Sequence, residues 1–555
     1  MAGTVAVGNN ADDSIRILVA TDNHLGYAEK DAVRGEDSFT TFEEILELAV
    51  SENVDMILLG GDLFHDSVPS QNALYKCFEL LRRYTFGDKS VSLEILSDQS
   101  LSFHSALNHS VNYEDPYLKI SIPVFSIHGN HDDPSGFGRL SSLDLLSTTG
   151  LINYFGHWTD LSRVEINPIL IRKGETKLAL YGLSHIPDAQ LVRMLEKSEI
   201  NFNNDNLSGE GWYQLMVVHQ NRVDRGGSKK YLPEDRLPDF VNMVIWGHEH
   251  DCYVDFKQSA SGHFKVYQPG SSVATSLIKG ESKTKHVGLL TINKLNESLK
   301  PLPLQTVRPF VYESIDLDDL VEKLHLNEGD AAEKVYNFAI KRVEALIERA
   351  KGLLTGHPKQ PTIPLIRLRL RYTDETHMFN TIRFGHLFGA RVANVADVVR
   401  FTRLTENDTA NAAVESGMEV DDLTTLEDLL GRYIEDIPLT LFHSKVLKEV
   451  TLRMVKHSDG HEAGQIFKYY SDKVVEHLMQ KMPSLENIQD EIENFRRRYK
   501  ADDILNALNS LGTKTRNKRP AVNRSAVPND ALTTSGGEPS SRGGLAATKR
   551  LRIFN

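Results

Sequence analysis

The stretch Phe125-Ser-Ile-His-Gly-Asn-His-Asp-Asp-Pro134 joins an apolar run directly to a cluster of histidine, asparagine and aspartate side chains. The run that leads into this cluster, residues 124–127, has the length and the β-branched composition of a short buried strand. Gly129 follows where the backbone must turn, and it allows the turn to be tight. Because ligands in α/β proteins collect beyond the carboxyl ends of strands, this stretch predicts an α/β fold with its chemistry at strand ends.

Four more apolar runs end in the same kind of polar cluster. The runs are residues 15–20, 54–59, 215–218 and 241–246. The clusters that follow them are Thr21-Asp-Asn-His24, Gly60-Gly-Asp-Leu-Phe-His65, His219-Gln220 and Gly247-His-Glu-His250. The carboxyl ends of strands that lie side by side in an open sheet meet at one edge. We therefore expect the five clusters to form one convergent site.

The clusters contain enough metal-ligand side chains for two divalent cations, which need about seven protein donors and one bridging carboxylate. The seven candidates are Asp22, His24, Asp62, Asn130, His219, His248 and His250. A mixture of carboxylate, amide oxygen and imidazole without thiolate favours Mn²⁺ or a similar ion, and zinc stays open as an alternative. The ordinary structural interpretation, unrelated turn and capping residues, fits any one cluster but explains five of them poorly.

The motif set resembles the calcineurin-like metallophosphoesterase superfamily. More narrowly, Val19-Ala-Thr-Asp-Asn-His-Leu-Gly26, Gly60-Gly-Asp-Leu-Phe-His65 and the stretch ending at Pro134 resemble the eukaryotic meiotic-recombination nuclease subunit of the Mre/Rad/Nbs double-strand-break repair complex. The likeness covers about residues 15–405. It implies an α/β fold with a four-layer metallophosphoesterase β-sandwich flanked by helices, a smaller α+β capping domain and a C-terminal helical segment.

The resemblance also implies roles for individual residues. Two Mn²⁺ ions per chain are expected. The ligands of one are Asp22, His24, Asp62 and His250, and those of the other are Asp62, Asn130, His219 and His248. His131 is expected to be the catalytic residue that protonates or stabilises the leaving oxygen, and His65 to orient the phosphate. A histidine suits proton donation near pH 7.

The function implied by this resemblance is a manganese-dependent DNA nuclease, in which water activated by two metals attacks the phosphodiester. The family acts as a 3'-5' exonuclease and single-strand endonuclease at DNA ends in double-strand-break repair by homologous recombination, in meiosis and in telomere maintenance. A nuclear protein is expected, with double-stranded ends and single-stranded DNA as substrates. Expected partners are a second copy in a homodimer, a Rad-family ABC/SMC-type ATPase and an Nbs-like adaptor, for which residues 101–117 are a candidate contact.

Two other functions remain open at this stage. Phosphomonoester phosphatases of the superfamily commonly have an Arg soon after the bridging Asp, which suits a dianionic phosphate. Here Asp62 is followed by Leu-Phe-His65, which favours a diester but leaves a phosphoprotein phosphatase as the alternative. The second alternative is a DNA-end-binding scaffold with incidental hydrolase activity. Every ligand position of the motif set holds a residue that can bind a metal, which argues against an inactive site.

Composition and periodicity predict several domains in the 555 residues. We expect a flexible N-terminus (1–13), a nuclease domain (14–294), a DNA-capping domain (295–405), a linker (406–420), a helical partner-binding segment (421–508) and a disordered basic tail (509–555). Hydrophobic residues at 40% and charged residues at 25% are typical of a globular protein, and no apolar run is long enough to cross a membrane. Two cysteines and the absence of a signal-peptide pattern predict no secretory route.

The net charge of −13 predicts that any DNA-binding surface is local. Residues 511–555 hold nine Lys or Arg against two acids, a net +7, which leaves −20 for the preceding chain. Candidate DNA contacts in the loop after His219 are Arg222, Lys229 and Lys230. Alternation in Ile366-Arg-Leu-Arg-Leu-Arg-Tyr372 adds Arg367, Arg369 and Arg371 on one strand face. A solvated loop and an ordinary charged strand face remain alternatives.

Overall fold

The computed structural model of the protein describes residues 13–134, 140–158, 161, 164–204, 207, 211–223 and 231–404. The predicted linker, helical segment and basic tail lie outside these residues, as do Lys229 and Lys230. Within the part of the chain that is described, no helix is long and apolar enough to cross a membrane.

Among the described residues, the larger domain has fifteen strands, and most of them belong to two sheets. Their bounds are β1 (Ile15–Ala20), β2 (Met56–Gly60), β3 (Glu94–Ile95), β4 (Val124–Ile127), β5 (Asn153–Tyr154), β6 (Val164–Ile166), β7 (Ile169–Lys173), β8 (Thr176–Leu183), β9 (Ile200–Phe202), β10 (Trp212–His219), β11 (Met243–Gly247), β12 (Lys257–Gln258), β13 (Lys265–Tyr267), β14 (His286–Asn293) and β15 (Asn296–Pro303). One sheet has the order β15-β14-β1-β2-β4-β5 and the other β12-β13-β11-β10-β8-β7-β3, while β6 pairs with β9.

Alternating side chains explain why the two sheets stack face to face. In β1, Ile15, Ile17 and Val19 lie in the core between the sheets, whereas Leu18 and Ala20 point to the helices on the outer face. The same period of two runs through β2, β10 and β11, so each sheet buries both faces. Strands of this kind are apolar throughout, which is why they stand out in the sequence.

Helices cover the outer faces and complete four layers. The first sheet packs against α1 (Asp37–Ser51), α2 (Gln71–Thr85) and α3 (Ser142–Thr148), and the second against α4 (Asp188–Glu196). The apolar face predicted from the period of residues 38–50 is the buried face of α1. These layers confirm the predicted α/β sandwich flanked by helices.

The five predicted strands are present, but they divide between the sheets. β1, β2 and β4 are parallel neighbours in the first sheet, and β10 and β11 are parallel neighbours in the second. The five strands are therefore not all neighbours in one sheet, because β1, β2 and β4 bury one apolar face against the sheet that contains β10 and β11. Convergence of the clusters depends on the stacking of the two sheets.

A smaller domain follows, and its fold is α+β as expected. It contains β16 (Phe310–Asp316), β17 (Leu365–Tyr372), β18 (Val399–Arg403), α5 (Val321–Leu324), α6 (Ala331–Lys351) and α7 (Thr381–Gly385). The three strands are parallel, and Ile366, Leu368 and Leu370 of β17 pack with the apolar face of α6. β15 still pairs with β14 in the first sheet, so the predicted boundary at residue 294 falls inside a hairpin.

Buried polar contacts join the smaller domain to α1. Arg308 forms an ion pair with Asp37, its Nε lying 2.6 Å from the carboxylate, and donates to the carbonyl oxygen of Ile363. The carboxylate of Glu44 accepts hydrogen bonds from the backbone amides of Gln305 and Thr306 at 2.6 and 2.8 Å. Because these charged groups are largely buried and paired, they fix the segment that connects the domains.

Candidate metal centre

The backbone of the candidate site adopts the left-handed conformation at four of the seven predicted ligands. The φ angles are +51° at Asp22, +48° at His24, +51° at Asp62 and +79° at His248. A residue other than glycine in this region costs on the order of 1–3 kcal/mol of conformational energy. Such strain persists only where surrounding contacts hold it, and it is common at functional sites. Here it occurs in the loops that directly follow β1, β2 and β11.

Two glycines allow the loops from different strands to approach each other. Gly61 has a φ of +94°, and a Cβ at this position would overlap the ring of His219. A Cβ on Gly129 would overlap the carboxylate of Asp62. The backbone amide of Asp22 donates to the carbonyl of Gly61 at 3.1 Å, which ties the loop after β1 to the loop after β2. A side chain at either glycine would push the loops apart.

Three predicted ligands meet on one side of the centre. Asp22, His24 and His250 each offer a ligand atom, and these atoms lie within 4.8 Å of one another. The Nε2 atoms of His24 and His250 are 3.1 Å apart, and Nε2 of His250 is 3.6 Å from Oδ1 of Asp22. Since β1 and β11 belong to different sheets, this group exists only because the sheets stack.

The other predicted ligands meet beside them. Asp62, His219 and His248 also offer atoms that lie within 4.8 Å of one another. The side-chain oxygen of Asn130 is 2.7 Å from Nδ1 of His248 and 3.3 Å from Nε2 of His219. Oδ2 of Asp62 is 3.4 Å from Nε2 of His219 and 3.8 Å from Nε2 of His24, which places it between the two groups. All seven predicted ligands therefore lie together.

The polar atoms of this centre are arranged to bind a pair of cations rather than to form hydrogen bonds with one another. Oδ1 of Asp22 is buried without a hydrogen-bond partner. The facing Nε2 atoms of His24 and His250 both carry lone pairs when the two neutral rings have their hydrogens on Nδ1. A buried acceptor that lacks a partner costs about 1–3 kcal/mol, and a cation removes this cost. Asp62 has the position that a bridging carboxylate requires.

Two histidines that are not among the predicted ligands lie at the edge of the centre. The rings of His65 and His131 are stacked with their centroids 4.8 Å apart, and each lies edge-on to His24. Nδ1 of His131 lies 2.6 Å from the carbonyl oxygen of His65, and a carbonyl only accepts, so Nδ1 carries the hydrogen. The proton of the neutral ring is fixed there, and Nε2 remains for the reacting group.

The charges of the centre depend on one another. Burial by itself lowers the pKa of His219, but the carboxylates of Asp62 and Asp22 outweigh burial and raise that pKa to about 10. Burial raises the pKa of Asp22. Burial would also raise the pKa of Asp62, yet the positive charge of His219 holds it well below its ordinary value. The carboxylates therefore attract positive charge to the position where a cation is expected.

Glu281 orients a predicted ligand, and sequence reasoning missed it. Its buried carboxylate lies 2.8 Å from Nδ1 of His250 and accepts hydrogen bonds from the backbone amides of Ser276 and Leu277. The bond fixes the hydrogen of His250 on Nδ1 and leaves Nε2 free to bind a cation. Burial would raise the pKa of Glu281, but His250 and the buried Lys285 lower it. No motif in the sequence marks this glutamate.

Asp132 and His185 also support the site. Asp132 is fully buried and accepts from the backbone amides of Leu63 and Gly129, both at 2.7 Å, which joins the loops after β2 and β4. Its burial raises its pKa to about 7. His185 follows β8, and its ring lies 6.4 Å from the rings of both His219 and His248. An apolar run that ends in Ser-His could have revealed it, because this repeats the pattern of the other clusters.

The candidate DNA contacts have partners within the protein. Arg222 pairs with Glu234 at 2.7 Å and donates to Gln268 at 3.0 Å. Arg367 and Arg369 are only 8% and 7% exposed, and Arg371 pairs with Asp316. The strand does alternate as predicted, but its arginine face is not open to solvent at the first two positions.

Comparison with known families agrees with this architecture. The calcineurin-like phosphoesterase family matches residues 15–252, which include the five strand ends. A second family, described as the Mre11 DNA-binding presumed domain, matches residues 297–449, which include the smaller domain. The order of the two matches is the order of the two domains along the chain.

Individual relatives are similar over most of the chain. The double-strand break repair protein MRE11 of Rattus norvegicus is 40% identical over 505 residues, which cover 88% of this chain and 70% of that protein. The protein of the same name from Homo sapiens is 40% identical over 499 residues, with coverage of 88% and 70%. The double-strand break repair protein mus-23 of Neurospora crassa is 37% identical over 506 residues, with coverage of 87% and 68%.

Proposed function

Because the chain belongs to the family of Mre11 double-strand break repair proteins, we propose that it is a manganese-dependent nuclease that processes DNA ends. It is a hydrolase of the metallophosphoesterase kind and acts on phosphodiester bonds. The observation that carries the proposal is the meeting of two ligand groups beside His131, with Asp62 between the groups.

The proposed assignment of ligands follows the two groups. Asp22, His24 and His250 would hold one cation, and Asn130, His219 and His248 the other, with Asp62 shared. When bound, two divalent cations supply a nucleophilic water and offset the negative charge of the phosphate. Oxygen and imidazole donors without thiolate support Mn²⁺ as the cation.

The residues of the chain contribute orientation and a proton. His131, whose Nδ1 hydrogen is held by the carbonyl of His65, is the proposed donor to the leaving oxygen as an imidazolium, which carries a second hydrogen on Nε2 and becomes the neutral ring when that hydrogen is transferred. His65 is proposed to bind a phosphate oxygen, since its ring stacks on that of His131. Burial and the neighbouring His131 lower the pKa of His65, which favours the neutral ring. A positioned acid of this kind contributes about 10²- to 10⁴-fold in rate.

A diester substrate is favoured over a phosphoprotein. Phosphatases of the superfamily use an arginine near the bridging carboxylate to hold a dianionic phosphate, whereas this chain has Leu-Phe-His65 after Asp62. With either substrate the leaving alkoxide needs a proton, which His131 is available to supply. The family membership supports DNA as the polymer.

The remaining parts of the proposal rest on family membership. We assign to this chain 3'-5' exonuclease and single-strand endonuclease action in homologous recombination, meiosis and telomere maintenance. It is proposed to work in the nucleus as a homodimer, with a Rad-family ATPase bound to residues 421–508 and an Nbs-like adaptor near residues 101–117. Leu107 and Tyr117 in the latter segment are 75% and 92% exposed, which suits a protein contact.

The decisive experiment is manganese-dependent digestion of a labelled duplex and of a single-stranded DNA circle. The wild-type chain should cut both, while His131→Asn should bind two cations and lose cleavage by a factor of about 10² or more. A phosphopeptide serves as the competing substrate. Hydrolysis of the phosphopeptide with no cleavage of either DNA would establish the phosphatase instead, and equal cleavage by both proteins would refute the role of His131.

A further inference from the structure

The two ring nitrogens of His248 face different amide side chains. Nδ1 lies 2.7 Å from the side-chain oxygen of Asn130, which is another predicted ligand, whereas Nε2 lies 2.9 Å from Oδ1 of Asn221. A histidine that binds a metal is neutral and therefore carries one hydrogen, on one of its two nitrogens. The residue that accepts this hydrogen decides which nitrogen remains to bind a cation.

Asp188 determines which way the amide group of Asn221 points. Nδ2 of Asn221 lies 2.7 Å from Oδ2 of Asp188, and an ionised carboxylate only accepts hydrogen bonds, so the amide nitrogen must face Asp188. The amide oxygen then faces His248, and because this oxygen also only accepts, the hydrogen of His248 lies on Nε2. Nδ1 is left with a lone pair that faces Asn130.

The carboxylate of Asp188 has a fixed position in the fold. Asp188 is the first residue of α4, where the backbone amides of the first helical turn favour a negative charge. Leu191 and Met194 of the same helix are buried in the core against the second sheet. The chain of hydrogen bonds that runs through Asn221 to His248 therefore begins at a packed helix.

The loop that precedes α4, residues 184–187, also contacts two other loops of the centre. The hydroxyl of Ser184 accepts a hydrogen bond from the backbone amide of His128 at 3.2 Å, and the backbone amide of His185 donates to the carbonyl of His128 at 3.1 Å. The side chain of Gln220 donates to the carbonyl of Ser184 at 3.4 Å. These bonds join the loop to the strand ends that carry two more of the predicted ligands.

We propose that Asn221, held by Asp188, is a positioning residue that directs Nδ1 of His248 toward the second cation. The second cation is the one whose proposed ligands are Asp62, Asn130, His219 and His248. The inference rests on the proposed metal centre, and it gives this cation an orienting group of its own, as Glu281 orients His250. Without Asn221, the hydrogen of His248 is free to move to Nδ1, where it would donate to Asn130 and remove one ligand.

Removal of the amide tests the proposal through metal binding. Calorimetric titration of the metal-free protein with Mn²⁺ measures the dissociation constants of both cations. In Asn221→Ala the affinity for one Mn²⁺ should stay as in the wild-type protein, while the affinity for the other should fall about 10- to 100-fold, as expected when a metal-binding histidine loses its partner. Asn327→Ala, at an exposed asparagine of the smaller domain, is the matched control and should bind both cations as the wild-type protein does.

An exchange of the two side chains separates positioning from a general structural role. Asn221→Asp alone places two carboxylates face to face and should weaken binding of the second Mn²⁺, whereas Asp188→Asn alone should weaken it less, because an amide oxygen still accepts from Asn221. The double variant Asn221→Asp/Asp188→Asn restores a donor and an acceptor between the two positions. It should bind the second Mn²⁺ at least about 2-fold more tightly than Asn221→Asp alone, which is the smallest coupling expected of residues in contact. This rescue decides the proposal even if Asn221→Ala does not fold.

Electron paramagnetic resonance gives a second readout that does not depend on cleavage. Two Mn²⁺ ions in the wild-type centre should be magnetically coupled, whereas Asn221→Ala should show an uncoupled ion at a Mn²⁺ concentration that saturates only its tighter site. Unchanged affinity for both cations in Asn221→Ala, an equal loss at both, or a double variant no better than Asn221→Asp would overturn the proposal alone. A wild-type protein that binds no Mn²⁺ would instead refute the proposed metal centre, and this inference with it.

Discussion

The metal-ligand edge, which is the set of strand ends that carries the seven predicted ligands, and strand β17 both have polar or charged side chains at regular positions. The two regions differ in whether those side chains have hydrogen-bond partners within the protein. At the edge, Oδ1 of Asp22 is buried without a partner, and Nε2 atoms of His24 and His250 lie 3.1 Å apart. On β17, the guanidinium of Arg369 donates to the hydroxyl of Thr402 at 3.2 Å, and Arg371 pairs with Asp316.

The difference indicates which region needs a ligand. A buried polar atom without a partner costs about 1–3 kcal/mol, so the edge gains stability when a cation arrives. The arginines of β17 already have acceptors, so a phosphate would have to replace contacts that exist. Regular spacing in the sequence identifies both regions as candidate binding sites. The hydrogen-bond partners seen in the structure then separate a site that needs a ligand from one whose polar groups are already paired.

The largest effect is expected from removing the shared carboxylate. Asp62→Ala should abolish the binding of both cations and reduce DNA cleavage by about 10³-fold or more, since several kcal/mol of charge stabilisation is lost. Metal content and cleavage rate are measured on the same sample. Asp319→Ala, at an exposed acid of the smaller domain, is the control and should leave both unchanged. Two cations bound to Asp62→Ala would contradict the shared role.

Metal removal tests whether the metal-ligand edge is stabilised by bound cations. Saturation at about a thousand times the dissociation constant adds about 4 kcal/mol to the stability of the folded state. Adding Mn²⁺ to the chelated protein should therefore raise the unfolding temperature by roughly 10 °C. Asp62→Ala should show no such increase. If the wild-type protein unfolded at the same temperature with and without Mn²⁺, the polar groups of the metal-ligand edge would already be paired within the protein, as the arginines of β17 are.

Much of the edge could be predicted from sequence because its elements are local. An apolar run, a glycine and a polar cluster each predict the structure of a few neighbouring residues. Buried strands are easy to recognise because they are apolar on both faces. The five strands and the meeting of the seven predicted ligands follow from this pattern. The resemblance added the sandwich, which the local pattern could not supply.

What could not be predicted depends on contacts between distant residues. Glu281 reaches His250 across 31 positions of sequence, and nothing near it in the chain marks its role. The division of the strands between two sheets follows from packing rather than from any single strand. For Arg369, alternation gives the face of the strand but says nothing about what covers that face. Sequence patterns therefore predict ligands better than the groups that orient them.

A smaller effect is expected at the group that orients His250. Glu281→Gln retains the size of the side chain but weakens the acceptor for Nδ1, and loss of such a partner lowers metal affinity about 10- to 100-fold. Calorimetric titration with Mn²⁺ measures the change, with Glu36→Gln on the exposed surface as the control. If Glu281→Gln bound Mn²⁺ as tightly as the wild-type protein, the orienting role of Glu281 would be wrong.

The smallest effect on DNA binding is expected on β17. Arg369 is 7% exposed, so Arg369→Ala should lower the free energy of unfolding by about 1–3 kcal/mol through lost packing and hydrogen bonding. A phosphate contact would instead appear as a fall of about 0.9 in the slope of log affinity for DNA against log salt concentration. We expect that slope to stay unchanged, because the arginine is already held by the protein. Arg383→Ala, at an exposed arginine of α7, gives the matched comparison in urea unfolding and should lose less stability. A lower salt slope with unchanged stability in Arg369→Ala would reverse the comparison and make β17 a surface that binds DNA.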